Sequence, residues 1–129
     1  MKADIIILSR DFELLNKCLT SIFAYVDKKS VKDIYIGWNN TETLDVETYV
    51  PDNAYLIPKV IDVEEYNFAK NNNMIAKNYS TADCLLFLND DVELVEDSVT
   101  KCMKWLEDQS VGTVGIKLLY PNKTIQHCG

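Results

Sequence analysis

An α/β domain, with a mostly parallel sheet flanked by helices, is the fold class that this sequence predicts, on three observations. Short, wholly apolar runs recur, such as Ile5-Ile6-Ile7-Leu8 and Leu85-Leu86-Phe87-Leu88. Runs of this length and composition read as strands buried on both faces. Between them the apolar residues recur three and four apart, the helical period. No internal repeat, low-complexity stretch or linker breaks the alternation, so residues 1–129 read as a single domain.

Taken in order, the run Ile5 to Leu8 after Asp4 gives the first strand. Leu14, Leu15, Cys18, Leu19, Ile22, Phe23 and Val26 then fit one helix face, with Asp11 as its N-cap and Lys28-Lys29 closing it against the dipole. Ile34-Tyr35-Ile36-Gly37-Trp38 reads as a second strand, ending in the turn-forming Asn39-Asn40-Thr41. Residues 42–49 suggest a short helix. Residues 55–61 read as extended, and Pro58 makes this an edge or irregular strand. Asn67 can cap a helix running to about Tyr79, with Phe68, Asn72, Ile75, Ala76 and Tyr79 on one face. The run Leu85 to Leu88, the most apolar in the chain, reads as the central strand. Asp97 or Ser98 opens a further helix with Val99, Cys102, Met103 and Leu106 inward. Residues 111–120 return to strand character before a turn at Pro121-Asn122-Lys123.

Composition narrows the function. A net charge of −7, with thirteen scattered basic residues, argues against nucleic acid, whose phosphates attract clustered Lys and Arg. An acidic protein can still hold a polyanion if a metal ion bridges the two. The four cysteines, Cys18, Cys84, Cys102 and Cys128, form no CxxC pair and no zinc spacing with the sole histidine, His127. Buried, reduced thiols and a reducing compartment are the expectation. The apolar run near the N-terminus is too short for a signal peptide or a membrane span, which makes the cytoplasm, the inner face of the membrane included, the expected location.

In open parallel sheets, ligands bind beyond the carboxyl ends of the strands. That rule selects Ser9-Arg10-Asp11, Trp38-Asn39-Asn40-Thr41 and Asn89-Asp90-Asp91. Adjacent aspartates after a buried strand repel one another unless solvated, capped or neutralised by a cation. Mg²⁺ and Mn²⁺ take one or two carboxylates and complete their shell with substrate phosphate and water. The plainer alternative is a solvated turn leading Glu93, Glu96 and Asp97 toward a helix N-terminus, which also favours them. With only four glycines, neither a P-loop nor a GxGxxG fingerprint can be built, so phosphate binding here would need a metal. Asn72 is a poor helix former on an apolar face. It reads as a tie to a neighbouring loop, or as part of a helix that orders nucleotide-binding loops, with Lys70 nearby for a phosphate or base.

These segments together resemble glycosyltransferase family 2, enzymes with the Rossmann-like GT-A fold. The likeness lies in Ile5 to Asp11 with Glu13-Leu14-Leu15 and Cys18-Leu19, in Tyr66-Asn67-Phe68-Ala69-Lys70-Asn71-Asn72-Asn73, and in Leu85 to Leu94 around Asn89-Asp90-Asp91. It continues in residues 111–121 and in Thr124-Ile125-Gln126-His127-Cys128-Gly129, where the family usually has alanine at Cys128. The resemblance implies inverting transfer of a sugar from a nucleotide diphosphate-sugar donor to a glycan or lipid-linked acceptor, in cell-surface polysaccharide synthesis. Asn89-Asp90-Asp91 matches the DXD-type motif, which implies Asp91 as ligand to Mn²⁺ or Mg²⁺ and Asp90 near the metal or ribose. Ser9, Arg10 and Asp11 match the nucleotide loop, Asn39 and Thr41 a second loop, and Lys70 and Asn73 the helix beside the donor. A rhamnosyl-type enzyme fits this pattern.

Two departures bear on function. Trp38 stands where the family usually has a base-reading aspartate, which leaves the base open. Family members also continue with an acceptor-binding half that carries the general base, so the chain is expected to be a fragment with its base beyond Gly129. Its apolar surface would then favour self-association, a homodimer included. His127, the sole histidine, stands near the end of the chain and reads as incidental. A non-catalytic donor-binding module is one rival. A sugar-phosphate nucleotidyltransferase is another, disfavoured because residues 8–12 lack the glycine-rich basic loop it would need.

Overall fold

Seven consecutive buried residues, Ala3–Ser9 (β1), place the first strand inside the molecule. In the computed structural model, which describes residues 1–128, β1 is flanked by Val31–Trp38 (β2) and Cys84–Asn89 (β4), with Lys59–Asp62 (β3) outside β2. The sheet order is β3-β2-β1-β4 and every neighbouring pair is parallel. Three helices connect or follow the strands: Phe12–Tyr25 (α1), Phe68–Asn78 (α2) and Ser98–Leu106 (α3). Strand alternation splits the core into two layers. Ile5 and Ile7 pack with Leu15, Cys18, Leu19 and Ile22 of α1 and with Val99 and Met103 of α3. Ile6 and Leu8 pack with Tyr35 and with Ile75 of α2. Helices therefore cover both faces, as expected.

Local chemistry sets the helix starts. The carboxylates of Asp11 and Asp97 and the amide oxygen of Asn67 accept from the backbone N–H of Leu14, Thr100 and Lys70 respectively, each at 2.9 Å. A cap of this kind contributes roughly 1 kcal/mol. Gly37, in the middle of β2, lets α2 close onto the sheet. A Cβ there would lie 2.5 Å from Leu8 Cδ2 and 3.0 Å from Ile75 Cδ1. One buried carboxylate ties the sheet together. Asp4 accepts from Asp33 N–H (3.0 Å), the Ser80 hydroxyl (2.6 Å) and Thr81 N–H (3.2 Å), joining β1 to β2 and to the approach to β4. A buried polar group of this kind costs free energy unless it finds such partners.

Several expectations are corrected. The Leu85 to Leu88 run lies at the sheet edge, not its centre, with Leu85 and Phe87 40% and 47% exposed. An apolar run fixes strand type but not neighbours; β1 holds the central place. Residues 111–120 form no long strand. Only Leu118–Leu119 (β5) pairs, antiparallel with Ile125–His127 (β6), because β propensity needs a ladder partner to become structure. The helix expected over residues 42–49 shrinks to a 3-10 turn at Val46–Thr48. Lys28 and Lys29 lie past the end of α1, whose last turn holds no basic residue. Residues 55–61 give only the edge strand β3, which starts directly after Pro58. The Asn72 amide is tied within α2 and not to a neighbouring loop, donating to Phe68 O one turn back (3.0 Å), while Asn71 accepts from Asn67 N–H (2.6 Å). All four cysteines are free, yet only Cys18 is fully buried and Cys128 is exposed. Gly129, the last residue of the family-like terminal motif, lies outside the described residues.

Candidate functional site

The turns that leave β1 and β4, together with the residue before the N-cap of α2, enclose a cavity of ≈ 480 Å³. Leu8, Ser9, Arg10, Asp11, Leu14, Tyr66 and Asp90 line it. Register places this meeting: Leu8 in β1 is level with Asn89 in β4, so the residues just beyond each strand arrive side by side.

Ser9 makes the joint. Its buried hydroxyl donates to Asp90 Oδ2 at 2.7 Å and accepts from Asp11 N–H at 3.3 Å. The carbonyl of Asp11 lies 3.2 Å from the same hydroxyl. With one proton to give, the hydroxyl favours the shorter, charge-assisted bond to Asp90. The Arg10 backbone is pinned by the amide of Asn40, which donates to Arg10 O (2.9 Å). Its guanidinium carbon sits 5.2 Å from the centroid of the Tyr66 ring, within the range of a cation–π contact.

The acidic turn is held from below by α1. Ser21 Oγ accepts from Leu94 N–H (2.9 Å) and donates to Cys18 O (2.7 Å), and the Cys18 thiol points at Asn89 O (3.8 Å). Burial, then the charges of Asp90, Asp91 and Glu93, push the Cys18 thiol up to about 12. The turn therefore projects a negative field into the helix beneath it, and a cation bound outside would relieve that repulsion.

Of the residues singled out in the sequence, Ser9, Arg10, Asp11 and Asp90 come together. Asp91 is exposed at the tip of the same turn and does not line the cavity. Asn39 spends its side chain on Val63 O (2.7 Å) and Glu64 O (3.2 Å), tying the end of β2 to the end of β3. Thr41, Lys70 and Asn73 are exposed and stand outside the cavity wall. Trp38 is core: 1% exposed, packed edge-on against Phe12 at 4.7 Å, with its indole N–H on Glu42 O (2.8 Å). It offers nothing to a base. Leu8, Leu14 and Tyr66 are the lining residues that sequence reasoning did not assign to the site. Tyr66 gave a weak signal, an aromatic residue directly ahead of the N-cap Asn67.

Among the described residues no three His, Cys, Asp or Glu side chains converge. Asp90 and Asp91 are the residues that could offer an oxygen or two to a hard divalent ion, which would need phosphate and water to complete its shell.

Comparison with known proteins follows this geometry. No family model matches the chain. It is 30% identical over 121 residues to the O-antigen biosynthesis protein RfbC of Myxococcus xanthus, a match that takes in 91% of this chain and 9% of that protein. The crystal structure of S. aureus TarS 1-349 superposes with a TM-score of 0.65 at 20% identity, over 90% of this chain and 38% of that one. This chain thus spans only a small part of the protein it resembles in sequence and about two-fifths of the one it resembles in fold. Among the described residues no helix is long and apolar enough to cross a membrane. The chain is an α/β domain that shares the fold of the matching region of TarS and is similar in sequence to a segment of an O-antigen biosynthesis protein.

Proposed function

We propose that this domain binds the nucleotide diphosphate-sugar donor of an inverting glycosyltransferase, which transfers the sugar to a glycan or lipid-linked acceptor during cell-surface polysaccharide synthesis. The observation that carries the reading is the Ser9–Asp90 hydrogen bond of 2.7 Å, which joins the β1 and β4 turns at a cavity on the carboxyl edge of a parallel sheet. Ligands bind at that edge in open α/β sheets. The name of the bacterial relative, an O-antigen biosynthesis protein, agrees with a polysaccharide product.

In this reading Asp91 and Asp90 would hold Mn²⁺ or Mg²⁺, which would supply the positive charge that a diphosphate leaving group needs. Ser9 fixes the Asp90 carboxylate, so the turn is pre-organised before a ligand arrives. Asp11 spends one oxygen on the α1 cap and stands in the cavity wall. Arg10 brings the cavity wall its single positive charge. Lys70 and Asn73, exposed on α2, are candidates to meet the donor where it extends past the cavity. Asn39 and Thr41 act as the scaffold and rim of the second loop.

A second reading is a donor-binding module without turnover. It is favoured by the fact that each carboxylate of the cavity wall has one oxygen committed to structure, Asp11 to the Leu14 N–H and Asp90 to the Ser9 hydroxyl. Calorimetry with UDP, GDP, dTDP and CDP, each with and without Mn²⁺, tests donor binding. Asp91→Ala should weaken the Mn²⁺-dependent affinity at least about tenfold, or roughly 1.4 kcal/mol. An unchanged affinity removes the metal from the reading. Donor hydrolysis by the same chain would reject the second reading.

A further inference from the structure

We propose that Ser21, on the buried face of α1, is a positioning residue for the acidic turn: it hooks the returning leg of that turn to the helix and so sets how tightly Asp90 and Asp91 take a divalent cation. The inference rests on the metal- and donor-binding reading above and adds to it a residue that touches neither cation nor donor.

A hydroxyl inside a helix and turned toward the core, as Ser21 is at 7% exposure, costs free energy unless it is satisfied. Ser21 has one proton, which goes back to Cys18 O three residues earlier (2.7 Å). Serines in helix interiors commonly spend their proton in this way. The oxygen is left to accept, and what it accepts is Leu94 N–H at 2.9 Å, from 73 residues along the chain. Leu94 is 5% exposed and belongs to no helix or strand, so its amide has no ladder to join. A buried N–H without a partner carries the full cost of its lost hydration. This one hydrogen bond therefore decides where the chain returns to the core after the turn.

The departing leg is hooked to the same helix. Asn89, the last residue of β4, has its carbonyl 3.8 Å from the Cys18 thiol, and Cys18 and Ser21 stand one turn apart on α1. Between the two hooks lie four residues, three of them acidic: Asp90, Asp91 and Glu93. Like charges this close repel, and a turn held at one end only would relieve the repulsion by opening. Within the turn, Val92 N–H reaches Asn89 O at 3.4 Å, too long to close it firmly. Ser9 fixes the Asp90 carboxylate. Among the described residues no hydrogen bond or salt bridge holds the Asp91 side chain, so its place depends on the backbone that the hooks constrain.

Variants of the full chain test this. Ser21→Ala removes the hook, and Ser21→Thr keeps the hydroxyl. Ile75→Val loosens the core on the opposite face of the sheet, away from the turn. Ser21→Cys, a weak acceptor of nearly the same shape, serves if Ser21→Ala fails to fold. Amide hydrogen exchange reads the hook. Broadening of amide signals during Mn²⁺ titration, with inorganic pyrophosphate present, reads cation affinity. In Ser21→Ala the Leu94 amide should exchange at least about tenfold faster. Mn²⁺ affinity should fall roughly tenfold, the lower end of what losing a supporting hydrogen bond costs a metal site. Ser21→Thr should stay within about threefold of the parent, and Ile75→Val within about twofold although it too lowers the melting temperature. If Ser21→Ala frees the Leu94 amide yet binds Mn²⁺ like the parent, the hook serves the fold alone; the inference is then wrong while the metal reading stands. A loss in Ile75→Val as large as in Ser21→Ala would overturn it too, because general stability would then govern affinity. If Mn²⁺ broadens no amide of the turn in the parent, the metal reading falls and takes this inference with it.

Discussion

Removing one hydroxyl at the joint of the cavity gives the most direct test of how the site is organised. Ser9 is 2% exposed and donates at 2.7 Å to a half-buried carboxylate. A hydrogen bond to a charged group is worth about 1.5–3 kcal/mol, and partial exposure of Asp90 lowers this to roughly 1 kcal/mol because water can take the place of Ser9. Ser9→Ala should therefore destabilise the fold by about 1 kcal/mol, a fall in Tm of about 4 °C for a domain of this size. Asp90→Ala should cost less, since it also relieves repulsion from Asp91 and Glu93, the charges that help raise the Cys18 thiol. In the Asp90→Ala background, Ser9→Ala should cost almost nothing. Urea unfolding of the parent, both single variants and the double variant, followed by circular dichroism, gives the coupling energy directly. A coupling below about 0.3 kcal/mol would show the two turns to be independent, and the pre-organised cavity would have to be abandoned.

Three further outcomes can be measured alongside. Gly37→Ala should cost about 1–3 kcal/mol by overpacking, since its Cβ meets Leu8 at 2.5 Å and Ile75 at 3.0 Å; a melt within about 2 °C of the parent would mean that α2 gives way easily. Trp38→Asp should unfold the domain or cost about 4 kcal/mol by burying a charge, whereas Trp38→Phe should fold and bind nucleotide normally; a folded Trp38→Asp protein would contradict the core assignment. The Cys18 thiol is held at about 12 when folded against an ordinary 9.0, so the folded chain keeps a proton that the unfolded chain releases. Stability should thus be intact below pH 9 and fall between pH 9 and about 12, by up to about 1.4 kcal/mol per unit, and Cys18→Ala should flatten that slope relative to the parent.

Much of the fold could be read locally. Asp11, Asn67 and Asp97 were expected as caps and each accepts the hydrogen bond that a cap requires, because capping involves only residues three apart. The loop after β1 and the turn after β4 were expected at the ligand edge, and Ser9, Arg10, Asp11 and Asp90 do meet there. Their metal- and donor-binding roles remain the proposal made above. What could not be read was direction. Tyr66 sits 56 residues from Arg10 in sequence, and nothing in local spacing links them. Asn39 looked like a ligand-facing residue, but a carbonyl from another strand end claims its amide.

The sequence by itself determined strands β1, β2 and β4, the three α-helices and where those helices start, since period, capping and β-branching act over a few residues. Only the tertiary structure decided that β1 is central and β4 an edge, that residues 111–117 stay irregular, and that Trp38 turns inward while Asp90 turns toward the cavity. Each of these depends on which distant neighbour competes for a given face or hydrogen bond. That competition is settled by packing across the whole sheet, and no short window of sequence contains both competitors.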